Sequence, residues 1–267
     1  MNINDYKAAF DSVKFSKDFE NDAIEAMLRA ADRKTLKEDN EMKTHKALRI
    51  TVIAAALVAL LALSAFAINA LLTPREVASH AGENKLSEAF DSNKAVNINE
   101  SQTLGEYNLT VEGLVSGSKL TQNCPEADPN RSYIVASLAY SDGRKFADIS
   151  EGDISMTPVI SGYKPWQVNA WTLGGGYVGF LADGVKYYIF DCSNIEVFAD
   201  HDIYLAAYVG SGTPPSSKIL KIDDKGNISF NESYTEPHAM FKLPIDKSKA
   251  DPAKAKELLK SSGMPIE

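Results

Sequence analysis

From Ile50 to Leu72 the chain reads I-T-V-I-A-A-A-L-V-A-L-L-A-L-S-A-F-A-I-N-A-L-L, with no charged residue and only Thr51, Ser64 and Asn69 as polar side chains. At 1.5 Å per residue this run reaches roughly 34 Å as a helix, enough to cross a hydrocarbon core of about 30 Å. Inside lipid every backbone N–H and C=O needs an internal partner, so helix is the expected conformation. A run of this kind divides the protein into a short arm, 1–49, and a large domain beyond residue 72, on opposite sides of a membrane.

Orientation follows from the flanks. Arg33, Lys34, Lys37, Lys43, Lys46 and Arg49 precede the run, whereas the stretch 73–94 holds only Arg75, Lys85 and Lys94. Basic residues close to a span stay cytoplasmic, which predicts an inside N-terminus and an extracytoplasmic C-terminal domain. Ala65-Phe66-Ala67 resembles a signal-peptidase site. Signal peptides, however, have short basic leaders and apolar cores of about 7–15 residues. This run is longer and begins after a long arm, so an uncleaved anchor is expected. Charge divides at the same boundary. The arm carries ten basic and ten acidic residues, and the remainder 18 basic and 26 acidic, a net of −8. That acidity argues against nucleic-acid binding by the outer part.

The arm reads as two amphipathic helices. Asn4 can cap the first, whose apolar side is Tyr6, Ala9, Phe10 and Val13; Ser16 can cap the second, striped by Phe19, Ala23, Ile24, Met27, Leu28 and Ala31. Phe10, Phe19, Ile24, Met27 and Leu28 are the candidate partner-binding residues. Such helices pack on each other, with a merely topogenic role, lie on the membrane, or dock into a partner's groove. With no Cys and one His, His45, the arm lacks the ligands of a structural zinc site.

Beyond the run, 73–95 reads as a juxtamembrane stalk, 96–245 as a β domain and 246–267 as a terminal helix and tail. Thr73-Pro74 has the form of an N-cap followed by a first-turn Pro. Leu86, Ala89 and Phe90 predict a further helical turn. Strands are expected at Val96–Asn99, Tyr107–Val115, Tyr133–Tyr140, Trp166–Leu173, Tyr177–Leu181, Val185–Asp191, Ile203–Val209, Ile219–Ile222 and Ile228–Phe230. Tyr107, Leu109 and Val111 alternate with Asn108, Thr110 and Glu112, the period of a half-buried strand. Asp183-Gly184 is the strongest hairpin signal. Many short strands with regular turns point to a mainly β outer domain, an antiparallel immunoglobulin-like sandwich. Asp251-Pro252 opens the terminal helix.

Cys124 and Cys192 both lie beyond the run. An even count in an exported domain is consistent with one disulfide, worth about 4 kcal/mol in the chain-entropy model, or with two unpaired thiols. No H-E-x-x-H, G-x-S-x-G, P-loop or dinucleotide fingerprint occurs, so neither an enzyme nor a cofactor is expected. The acidic clusters Asp148/Glu151/Asp153 and Asp223/Asp224 read as solvated turns or a weak cation site. Trp166, Trp171, Tyr177, Phe180, Tyr187, Tyr188 and Phe190 are either core or an aromatic platform of the kind that binds glycans.

T-P-R-E-V-A-S-H at Thr73–His80, N-I-N-E-S-Q-T at Asn97–Thr103, G-L-V-S-G at Gly113–Gly117, K-P-W-Q-V-N-A at Lys164–Ala170, D-G-V-K-Y at Asp183–Tyr187 and K-A-D-P-A at Lys249–Ala253 carry a resemblance. With the order arm, span and β-rich domain, the chain resembles uncharacterised membrane proteins of Gram-positive bacteria related to membrane-anchored anti-sigma factors. The resemblance covers most of the chain, and that family's outer domain has no assigned function. It implies a single-pass regulator whose arm holds a cytoplasmic protein such as a sigma factor. The alternative expectation is an envelope module that binds glycan or protein, with an anchor that only fixes topology.

Overall fold

The computed structural model describes residues 71–92, 95–117, 120, 128–210 and 213–263. The arm and all but the last two residues of the apolar run lie outside the described residues. Among the described residues no helix is long and apolar enough to cross a membrane.

What is described is mainly antiparallel β-sheet with three helices. Helices α1 (Pro74–His80) and α2 (Asn84–Asp91) come first, and α3 (Pro252–Ser261) comes last. The strands are β1 (Val96–Leu104), β2 (Tyr107–Ser116), β3 (Arg131–Tyr140), β4 (Ile154–Ile160), β5 (Gly176–Ala182), β6 (Val185–Ser193), β7 (Ile203–Val209), β8 (Leu220–Ile222), β9 (Ile228–Phe230) and β10 (His238–Lys242). They form a five-stranded sheet in the order β1-β2-β3-β6-β5, a three-stranded sheet β10-β7-β4 and the β8–β9 ribbon.

Side-chain alternation sorts the five-stranded sheet into two faces. Leu109, Val111, Ile134, Ala136, Leu138, Tyr188 and Phe190 share one apolar core with Ile154, Leu205 and Phe241 of the three-stranded sheet. Val115, Val135, Tyr187 and Ile189 point the other way, against Val77, Ala78, Leu86, Ala89 and Phe90 of α1 and α2. The two sheets are also tied at one edge. The Gln102 amide on β1 donates to the Met240 carbonyl and accepts from the Met240 N–H on β10, a side chain standing in for a backbone pair.

Local chemistry accounts for the elements the sequence announces. Thr73 and Glu76 form a reciprocal capping box before Pro74. Asp183 and Gly184 both take positive φ (54° and 83°), as a type I′ turn between β5 and β6 requires. The Asp251 carboxylate caps α3 through the Lys254 N–H, and Ala255 and Leu259 seat that helix on the shared core.

Three readings are corrected. The expected strand Trp166–Leu173 is a series of turns. The Asn169 side chain accepts the Trp171 N–H and donates to the Pro165 carbonyl, offering the backbone an alternative to a ladder. Two strands, β4 and β10, are absent from the sequence reading, and β4 carries Pro158. It is tolerated because β4 is an edge strand, hydrogen-bonded only to β7. The third concerns the exposure of 73–95: the helical turns expected there form as α1 and α2, but they do not stand free as a stalk, with Val77, Ala78 and Ala89 fully buried against the sheet.

Candidate functional site

The helix pair creates the most unusual environment in the protein. Ser87 Oγ donates to the Arg75 carbonyl, Glu83 N–H to the Ala78 carbonyl, and Arg75 pairs with Asp91 at 2.8 Å, so α1 and α2 hold each other. Their entry is fixed too: the Leu72 N–H donates to the Tyr187 hydroxyl at 3.1 Å, and Leu71 and Leu72 pack with the helix-side cluster. At the far end His80 stacks on Phe180 of β5, ring centroids 5.2 Å apart.

Beneath this pair β2 departs from regular pairing. Its register with β3 shifts between Val111 and Gly113, leaving Glu112 as the extra residue of a bulge. Gly113 permits the close approach that follows. A Cβ there would lie 3.0 Å from the Pro74 ring and 3.3 Å from the Val96 carbonyl oxygen. Glu112 is 3% exposed, and neither carboxylate oxygen has a hydrogen-bond partner. Burial pushes its carboxyl pKa up to about 7; the nearby Ser137 hydroxyl opposes the shift without closing a hydrogen bond to either oxygen. Thr110, on the same face, is satisfied by Ser101, their hydroxyl oxygens 2.6 Å apart. A cavity of about 600 Å³ opens beside these groups, lined by Leu71 to Arg75, Phe90 to Ser92, Asn97, Asn99, Thr110 and Glu112.

In the sequence Glu112 is the polar half of an alternating strand, a position expected to face solvent. The helix pair covers that face, and nothing in the strand's own pattern announces the cover. Lys186 is hidden from the sequence in the same way. It is 1% exposed on the inner face of β6, donates to the Glu151 carbonyl and lies 5.2 Å from the Phe146 ring centroid. Burial lowers its pKa, against the raising influence of Asp153, Glu151 and Asp148. The acidic cluster therefore serves an internal cation, Lys186. The other cluster is a turn: Asp223 accepts from the Lys225 and Asn227 N–H groups and closes the β8–β9 ribbon. Among the described residues no three His, Cys, Asp or Glu side chains converge as a metal site requires.

The aromatic set divides. Tyr187, Tyr188 and Phe190 are buried, whereas Trp171 is 62% exposed and Tyr177 44%. Trp171 and Tyr177 flank a second, smaller cavity of about 200 Å³ with Met156, Phe190 and Tyr208, at the open edge between β4 and β5. His80, His201 and His238 each pack on a different aromatic neighbour and share no site.

Cys192 is a fully buried free thiol, and burial pushes its pKa up to about 12, so it is a poor nucleophile. Its expected partner Cys124 lies outside the described residues, as do Phe10, Phe19, Ile24, Met27 and Leu28. No known protein family, curated protein or solved structure matches this chain.

Proposed function

We propose that this chain is a single-pass membrane regulator, anti-sigma-factor-like, whose immunoglobulin-like outer sandwich senses an extracytoplasmic condition and whose arm holds a cytoplasmic protein such as a sigma factor. One observation supports this over a passive tether. The apolar run ends at Leu72, and Leu72 is already bonded to Tyr187 in the sheet, with α1 beginning two residues later. No flexible spacer separates run from domain, so a change in how α1 sits on the sheet is passed directly to Leu72. A binding module on an inert anchor gains nothing from so tight a junction.

Topology is tested with reporters. One active only in the cytoplasm works at Met1, and one active only outside works at Glu267; an inside signal at Glu267 ends the reading. The arm is tested by affinity capture with the full-length protein. Phe19 and Met27 are eight residues apart with Ala23 midway, a spacing that would place them on one face of a helix. Phe19→Ala or Met27→Glu is expected to weaken capture of a cytoplasmic protein about thirty-fold, the loss of one interface anchor of about 2 kcal/mol, with insertion unchanged. Equal capture by wild type and both variants rejects the regulator.

The envelope-binding reading has its own support in the exposed Trp171 and Tyr177 beside the small groove and in the exposed Val178 of β5, an edge strand whose sequence G-Y-V-G-F-L-A carries no charge. If that surface binds envelope glycan, Trp171→Ala lowers retention on purified cell wall several-fold. Unchanged retention removes this reading.

A further inference from the structure

Glu112 is a buried carboxyl whose two oxygens close no hydrogen bond, with the Ser137 hydroxyl beside it, and the residue lines a space large enough to admit a stronger donor. About 600 Å³ falls within the range of small-molecule sites. One side of the lining is apolar, from Leu71, Leu72, Pro74 and Phe90; the other is polar, from Asn97, Asn99 and Thr110. The single cation in the lining, Arg75, is held by Asp91. Among the described residues, then, the cavity's one uncompensated group is an acid. An anion would be repelled by it, and an apolar occupant would leave it unanswered. A bound metal ion would need ligands that do not converge there.

We infer that this cavity binds a compact organic cation, an ammonium or amidinium group on a short apolar body, with Glu112 as the counter-charge. Leu71, Leu72, Pro74 and Phe90 take the body, and the Glu112 carboxyl, whose oxygens are covered in this structure, turns by side-chain rotation to meet the cationic head. The inference deepens the sensor reading and rests on it for its consequence, since an occupant between α1 and the sheet bears on the junction at Leu72. The charged groups that share the lining with Glu112 are Arg75 of α1 and Asp91 of α2, and Tyr187 of β6 lies close enough to feel its charge; Glu76 and His80 of α1 and Lys85 and Glu88 of α2 are not in the lining. Arg75 and Asp91 neutralise each other, so Glu112 sets the charge that a ligand meets. Because burial holds Glu112 protonated up to about pH 7, a cation that requires the carboxylate displaces a proton at lower pH.

The test is calorimetric titration of the full-length protein in nanodiscs with benzamidinium and with benzamide, its uncharged isostere. Wild-type protein at pH 8 is expected to bind benzamidinium saturably and at least ten-fold tighter than benzamide. That affinity should fall by up to about ten-fold per pH unit below pH 7. Glu112→Gln abolishes the preference and leaves benzamide binding unchanged. Asn97→Trp, which fills the cavity from β1 and keeps Glu112, removes binding of both. Absence of saturable benzamidinium binding to the wild type overturns the inference, as does a Glu112→Gln protein with the wild-type preference. Reporter topology and arm capture do not involve Glu112. Failure there leaves the cation site standing, and failure here leaves the regulator standing.

Discussion

Glu112→Gln is expected to raise the unfolding free energy of the β domain by about 2–3 kcal/mol at pH 8 and to change it little at pH 4. The carboxyl group titrates near 4.5 when exposed and near 7 in the folded protein, because burial without a hydrogen-bond partner penalises the charge. The folded state thus holds a proton that the unfolded state has already lost. Stability conferred by the neutral carboxyl is complete below about pH 4.5, declines as pH rises towards 7, and stays low above it. Each tenfold change in an acid's proton affinity is worth about 1.4 kcal/mol, which sets a ceiling of about 3 kcal/mol. The exposed acids Asp142, Asp148, Asp202 and Asp223 shift downwards, stabilised by the hydrogen bonds they accept, and therefore pull stability the other way at low pH. The difference between wild type and variant at each pH cancels them. Both tryptophans, Trp166 and Trp171, belong to the β domain, so fluorescence during denaturation reports on it alone. A difference that does not grow between pH 4.5 and 7 would mean that Glu112 finds a partner in solution.

The same residue marks where the sequence stops being legible. Elements set by local chemistry are visible in it. The capping box at Thr73–Glu76, the Asp183-Gly184 turn and the Asp251-Pro252 start of α3 depend on neighbours within four residues. The turns at 166–173 and the strand β4 defeat the local pattern for opposite reasons. Asn169 overrides a β-like apolar alternation, while the edge position of β4 excuses Pro158. Glu112 and Lys186 are hidden because burial is a property of what lies across the sheet. In a two-layer protein, T-V-E at 110–112 would put its acid in water. Here a helix pair forms a third layer, and the segment supplying it reads from its sequence as an exposed stalk. Placing Glu112 correctly requires knowing that α1 returns onto the sheet, which no local pattern encodes.

Phe241→Ala tests whether the two sheets fold as one. Phe241 lies on β10 of the smaller sheet with no exposed surface, in the core shared with Leu109, Val111 and Ile134 of the larger. Removing its ring forfeits the transfer free energy and leaves a void that close-packed strands fill poorly, a loss of about 3–5 kcal/mol. For a domain of this size that is a large share of the total, which is typically about 5–15 kcal/mol. Trp171→Ala, at an exposed site, should cost under about 0.5 kcal/mol. The double variant Phe241→Ala/Glu112→Gln carries the sharper information. The two residues stand on opposite faces of the five-stranded sheet, Glu112 under the helices and Phe241 across the shared core. Their effects are expected to add within about 0.5 kcal/mol, as they do for sites without common partners. The double variant should then fall short of wild type at pH 8 by only the remainder, about 0–3 kcal/mol. A larger coupling would mean that strain at β10 reaches the bulge of β2, for which the Gln102 bridge to Met240 is the available path. The helix pair, its cavity and the junction at Leu72 would in that case respond to events in the three-stranded sheet.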